Sequence, residues 1–215
     1  MDFALPQENE EIYAEVRHFC DEELRPKADE IAAKGEFPWD NVRAMAEMDL
    51  WGIPVPEEYG GAGLTWLDWA IIGEMISNAC TSTGAIFAAH YLCEYPLLAF
   101  GTEEQKEKYL TPLARGEKIG AFILTEPGAG SDAGSVKTRA ERDGEVYRLN
   151  GTKVFCSNGG EAEVFIVITN LEPDRGARGL TAFIVEKGTP GFRLGKEDKK
   201  MAFGALSNPE LIFED

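Results

Sequence analysis

GAFILTEPGAGSDAGS, residues 120–135, decides how this chain divides. Before it, apolar residues recur every three or four positions. From Ile119 onward they recur every two, or run together over four to seven residues. The first period belongs to helices with one buried face and the second to strands. The apolar opening, Gly120 to Leu124, reads as a buried strand, and the glycines after it read as a loop.

Upstream, Ile12, Val16, Phe19, Cys20 and Leu24 form one stripe of a first helix, which Pro26 bends or interrupts. A second helix fits 39–50, with Val42, Met45, Ala46 and Leu50 in register, stopped by Gly52 and Pro54. Residues 53–64 form a loop, and another helix fits 65–78. Residues 82–100 are apolar nearly all round, as in a buried central helix, with a kink at Pro96. The run TEEQ at 102–105 has the pattern of a capping box opening the next helix.

Downstream, Asp143-Gly144 sits between two strand-like runs and predicts a hairpin. Four more strand-like runs follow, and 208–215 closes on another. The fold class read from this is α+β: an all-α part over 1–118, then a small antiparallel β-barrel or sandwich over 119–215.

Thirty-eight Asp and Glu stand against 21 Lys and Arg, a formal net charge of −17. That surface argues against nucleic-acid binding, which relies on Lys and Arg to neutralise phosphates. No apolar run approaches the roughly 20 residues of a membrane span. The N-terminus has no basic region followed by an apolar one, so a cytoplasmic location is expected. The four cysteines are widely spaced and read as reduced thiols. Only two histidines occur, His18 and His90, and neither falls in a metal-ligand spacing or beside a nucleophile elbow. His90 reads as a core histidine within the most apolar helix.

Two stretches could carry chemistry. Glycines after a strand expose backbone N–H groups that can cradle an anion, yet the spacing G-x-G-S-D is neither GxGxxG nor a P-loop. A plain strand-to-strand loop fits the same residues. Glu126 and Asp132 would repel a phosphate unless they point away, so they are read as shaping the turn. In NGTKVFCSNGG, 150–160, strand alternation places Phe155 and Ser157 on one face. An aromatic ring and a hydroxyl there could hold a planar heterocycle, or could be a core Phe beside a surface Ser.

These stretches resemble the acyl-CoA dehydrogenase family. PEEYGGAG at 56–63, FGTEEQKEKYLTPLARGEKIGAF at 100–122, LTEPGAGSD at 124–132, LNGTKVFCSNGG at 149–160 and TAFIVEKGTPGF at 181–192 occur in the family's order. The resemblance implies a helical domain, a middle β domain and a C-terminal helical bundle, with FAD between the last two. It implies that Leu124 and Thr125 contact the pyrimidine edge of the flavin. Gly130 and Ser131 would approach its pyrophosphate and the bound acyl-CoA. Phe155, where the family usually has Trp, would flank the ring, and Ser157, in place of the usual Thr, would meet flavin N5. Bulky His90, Tyr91 and Tyr95 on the central helix would shorten the acyl pocket, with Tyr91 and Tyr95 as substrate contacts, although facing other helices fits them equally.

The implied reaction is α,β-dehydrogenation of an acyl-CoA thioester, with electrons passed to an electron-transferring flavoprotein by a homotetramer. The implied catalytic glutamate lies beyond Asp215, so no catalytic residue is assigned, and a truncated, inactive piece with weak FAD retention is expected. A flavin monooxygenase or nitroalkane-type oxidase on the same scaffold, or a non-catalytic truncated scaffold, are the alternatives. KMAFGALSNPEL, 200–211, departs from the family pattern: Gly204 stands for a basic residue, Leu206 for Ser and Asn208 for Thr.

Overall fold

A computed structural model describes residues 9–214. Residues 1–8, which carry the expectation about a leader, and Asp215 lie outside the described residues. Two compact units emerge. The first comprises Met1–Ala88, Glu103–Glu117 and Met201–Leu206, and the second Ala89–Thr102, Lys118–Lys200 and Ser207–Asp215.

The first unit is helical. Helix α1, Glu10–Phe19, buries Tyr13, Val16 and Phe19. It runs into a wide π turn at Cys20–Leu24 and a 3-10 turn at Arg25–Lys27 that contains Pro26, then into α2, Ala28–Lys34. Pro26 thus sits where the helix changes pitch, because its ring cannot donate to the ladder. Helix α3, Trp39–Glu47, ends three residues short of the expected boundary, since Asp49 turns left-handed at φ 53°. Helix α4, Trp66–Ala79, opens on a capping box between Thr65 and Asp68. Asp68 also accepts from Tyr13 Oη at 2.5 Å and Asn9 Nδ2 at 2.6 Å. Burial works to raise its pKa, but the hydrogen bonds from Thr65, Tyr13 and Asn9 outweigh it and hold the carboxyl at about 2. Trp51 is fully buried, and its indole donates to Val42 O at 3.0 Å.

Helix α5, Thr81–Phe100, carries Pro96 inside it. After it come the short helices α6, Glu103–Gln105, and α7, Thr111–Ala114, with a π turn at Lys106–Leu110 between them. Among the described residues no helix is long and apolar enough to cross a membrane.

The second unit is built on one seven-stranded, mostly antiparallel sheet. Its strands are β1 Gly120–Ile123, β2 Arg139–Asp143, β3 Val146–Lys153, β4 Val164–Asn170, β5 Leu180–Glu186, β6 Phe192–Glu197 and β7 Pro209–Phe213. They run in the order β1-β4-β2-β3-β7-β6, with β5 against β4. The α-then-antiparallel-β class read from the sequence is the one observed, with two parallel pairings on β4, from β1 and from β2, that periodicity could not reveal. Strand β4 is buried along both edges and reads VFIVITN, a nearly continuous apolar run. The hairpin is present, but its turn is shifted by one: Asp143 pairs with Val146, and the loop residues are Gly144, at φ 63°, and Glu145.

Strand β1 pairs with Val164–Val167 of β4, and β2 meets β4 again at Asn170. The glycine-rich stretch 124–138 is therefore an excursion that leaves one strand edge and returns to it further along. Asn170 fastens the return: its N–H donates to Thr138 O at 2.7 Å and its side chain to Val136 O at 3.1 Å.

Candidate functional site

The excursion opens with a tight reverse turn. Glu126 and Ala129 exchange backbone hydrogen bonds at 2.9 and 3.1 Å, which folds Pro127 and Gly128 outward. Beyond it, Gly130 and Ser131 are exposed, and a Cβ built on Gly130 meets nothing within 4 Å. No protein acceptor faces their N–H groups among the described residues. Two adjacent donors beside open space form a place where an anion can approach backbone closely. Asp132 does not face that space as a free charge. It accepts the Ser135 hydroxyl, and its carbonyl accepts the Ser135 N–H at 3.1 Å.

Glu126 is turned inward. Its carboxylate accepts from the N–H of Lys137 at 2.7 Å, the N–H of Thr138 at 2.8 Å and Lys153 Nζ at 2.8 Å. Lys153 Nζ also donates to Leu124 O at 2.9 Å, and the lysine side chain has no exposed surface. Burial works to raise the Glu126 pKa, but these donors prevail and hold it below the usual glutamate range. Burial pulls Lys153 below the usual lysine value, and the Glu126 carboxylate offsets part of that. The expectation that Glu126 shapes the loop is met in a form the sequence did not disclose. Lysine at 153 is the residue that sequence reasoning missed, since nothing in NGTKVF marks a lysine whose side chain folds inward.

The second stretch does not continue as a strand. Strand β3 ends at Lys153, and Phe155 adopts φ 55° and Asn158 φ 64°. The alternation that paired Phe155 with Ser157 on one strand face is thus replaced by a turn, tied by Ser157 N–H to Phe155 O at 3.1 Å and Gly159 N–H to Cys156 O at 2.8 Å. The turn leaves Phe155 66% exposed, as a core phenylalanine would not be, while Cys156 and Asn158 are buried. The two stretches are stitched together. Val154 N–H donates to Thr125 O at 2.9 Å, next to the bond from Lys153 to Leu124 O. Leu124 and Thr125 are half-buried, as is Ser157. So Leu124, Thr125, Phe155 and Ser157 belong to one interlocked edge. Gly130 and Ser131 lie on the exposed arm of its loop.

The residues on α5 divide. Tyr91 is buried at 3%, whereas Tyr95 is 49% exposed. His90 is fully buried and its Nδ1 accepts from Gly120 N–H at 3.0 Å, a core histidine with a structural bond. All four cysteines are buried free thiols.

A loop with open backbone donors, stitched to a turn with an exposed aromatic and a half-buried hydroxyl, suits a ligand with phosphates and a planar ring. The family model "Acyl-CoA dehydrogenase, N-terminal domain" matches residues 6–117, and "Acyl-CoA dehydrogenase, middle domain" matches 121–215. This chain belongs to the acyl-CoA dehydrogenase family. It is 46% identical over its whole length to a short-chain specific acyl-CoA dehydrogenase of Clostridium acetobutylicum and covers 57% of that protein. A structure described as an electron transferring flavoprotein of Acidaminococcus fermentans, studied for flavin-based electron bifurcation, matches at TM-score 0.96 and 41% identity, over 100% of this chain and 57% of that one. A structure of PigA with FAD and proline matches at TM-score 0.94 and 32% identity, over 100% and 57%. The chain thus spans a little over half the length of these relatives.

Proposed function

We propose that this chain supplies the flavin-facing and acyl-CoA-facing elements of an FAD-dependent acyl-CoA dehydrogenase that acts on short acyl groups. Residues 1–118 would form its helical domain and 119–215 its middle domain. The single observation that supports the reading is the bond from Val154 N–H to Thr125 O, which ties the loop with open backbone donors at Gly130 and Ser131 to the turn that exposes Phe155. The residues fit FAD: Gly130 and Ser131 N–H would hold its phosphates, Leu124 and Thr125 its polar ring edge, and Phe155 one ring face. When bound, FAD supplies two-electron oxidation of the Cα–Cβ bond of the thioester.

The protein's part in that chemistry is placement. The Ser157 hydroxyl would donate to a ring nitrogen, and the bond from Val154 to Thr125 would keep it in step with the first loop. The Glu126–Lys153 pair holds the loop so that its carboxylate charge is spent inward, away from the phosphates. Neither Glu126 nor Glu94 serves as the base. Glu126 is saturated with donors, and Glu94 has no exposed surface. The glutamate base is then assigned to the part of the relatives that this chain does not span. A homo-oligomer in the cytoplasm, passing electrons to an electron-transferring flavoprotein, completes the reading, with support from the bifurcation-system neighbour. The short-chain assignment is supported by the Clostridium relative.

Anaerobic addition of butyryl-CoA to the intact, flavin-loaded protein is expected to bleach the flavin band at about 450 nm. Faster bleaching by palmitoyl-CoA would reject the short-chain assignment. No bleaching by either thioester, with oxygen consumed on a nitroalkane, would favour the oxidase reading.

A further inference from the structure

Helix α5 carries an acid and an imidazole one turn apart, both without exposed side-chain surface. Glu94 Oε1 lies 3.3 Å from His90 Nε2. The other ring nitrogen, Nδ1, accepts the Gly120 N–H at 3.0 Å. A nitrogen that accepts an N–H carries no proton, so His90 is the neutral tautomer protonated on Nε2, and Nε2 lies within ion-pair distance of Glu94 without hydrogen-bond alignment. Burial pushes the Glu94 pKa up against the opposing influence of His90. The carboxyl can accept the Nε2 proton in either of its forms.

Gly120 is the first residue of β1 and has strand β4 on one side only. In a parallel pair alternate residues bond to the partner, and here Ile119 O accepts from Glu163 N–H on the β4 side. The N–H and C=O of Gly120 point the other way, into protein, where an unmet polar group is costly. Both are met by side chains: the N–H by His90 from α5, the carbonyl by Asn158 Nδ2 at 3.3 Å. Asn158 belongs to the turn that carries Phe155 and Ser157. One backbone unit therefore links α5, the strand that leads to Leu124 and Thr125, and the turn that presents Phe155.

We propose that His90, oriented by Glu94, is a positioning residue that with Asn158 clamps Gly120 and thereby sets the two ligand-facing loops in register with each other. The inference rests on the flavin reading of those loops. Its physical core, the tautomer and the clamp, is measurable without flavin.

The 215-residue chain has two histidines, so its imidazole 15N labelling gives two side-chain patterns, and a His18→Gln variant assigns them. His90 is expected as the Nε2–H tautomer, with slow exchange of the Gly120 amide. Glu94→Gln, whose amide oxygen accepts the same proton, should keep that tautomer. Glu94→Leu should mix the tautomers and speed Gly120 exchange about tenfold, the equivalent of one net hydrogen bond. With FAD, His90→Phe should weaken cofactor affinity about tenfold and shift the visible flavin band. A wild-type His90 protonated on Nδ1 overturns the clamp even if His90→Phe fails to fold. A His90→Phe protein with wild-type FAD affinity and spectrum overturns the positioning role. If the wild-type protein takes up no FAD, the flavin reading falls and the positioning role with it, while the tautomer result separately decides the clamp.

Discussion

Lys153→Met is expected to destabilise the second unit by about 3–5 kcal/mol, the usual cost of leaving half of a buried ion pair behind. The substitution removes the ammonium that meets both Glu126 Oε1 and Leu124 O, and it strands a carboxylate that is 7% exposed. Methionine fills most of the lysine volume, so little of the loss is a packing effect. Amide hydrogen exchange in β4 reads it without ambiguity. The four tryptophans, at 39, 51, 66 and 69, all lie in the first unit and would not report it. The pH dependence has a definite sign. The folded pKa of Glu126 lies below the ordinary 4.5, so its stabilising contribution is present above that value and disappears as pH falls through the lower folded value. Lys153→Met should therefore shrink its difference from wild type in acid, where Glu126 is protonated and no stranded charge remains.

The second large effect lies in the loop PEEYGGAG of the first unit. A Cβ on Gly61 would sit 2.1 Å from Val55 O and 2.5 Å from Gly52 O. Both are backbone atoms, and both carbonyls are already engaged: Gly52 O accepts from Ala62 N–H and Val55 O from Gly63 N–H, each at 2.9 Å. Gly61→Ala must spread this loop and weaken those bonds, at a cost of about 3–5 kcal/mol in overpacking and lost hydrogen bonding. Gly63 gives the contrast two residues away. Its φ is 65°, but a Cβ there meets only Glu57 Cγ at 3.7 Å, so Gly63→Ala should cost about 1–2 kcal/mol from backbone strain alone. Urea unfolding followed by tryptophan emission separates the two, because Trp51 is buried in the same unit.

Much of this architecture is legible in the sequence because periodicity is a property of single elements. The change from a three-to-four period to a two period at Ile119 locates the switch from helix to sheet, and β1 follows within a residue. Of the stripe Ile12, Val16, Phe19, Cys20 and Leu24, the last four are buried and Ile12 is half-buried, and Pro26 alters the helix without ending it. What escapes periodicity is pairing across distance. The parallel register of β1 on β4 joins residues about 44 positions apart, as in Gly120 with Val164, and no local pattern encodes it. The assignment of 201–206 to the first unit, away from the strands on either side, is of the same kind.

The site shows the same division. The glycines of 128–134 announce a loop, and the ordered motifs attach it to a family. Strand alternation, however, misplaced Phe155 and Ser157, because two residues in the left-handed region, Phe155 and Asn158, convert the end of β3 into a turn. Such φ values are uncommon outside glycine, so sequence alone gives no reason to expect them at a phenylalanine. Lys153 is hidden for a related reason. A lysine at a strand end is ordinarily solvated, and only the arrival of Glu126 from 27 residues away gives its charge a buried partner.

The most direct test of the account is amide hydrogen exchange of the intact protein with and without saturating FAD. The account predicts cofactor-dependent protection at Gly130 and Ser131 and at 154–158, with Gly61 and its neighbours in the first-unit loop unchanged. Bound FAD that leaves Gly130, Ser131 and the Phe155 turn unprotected would contradict it.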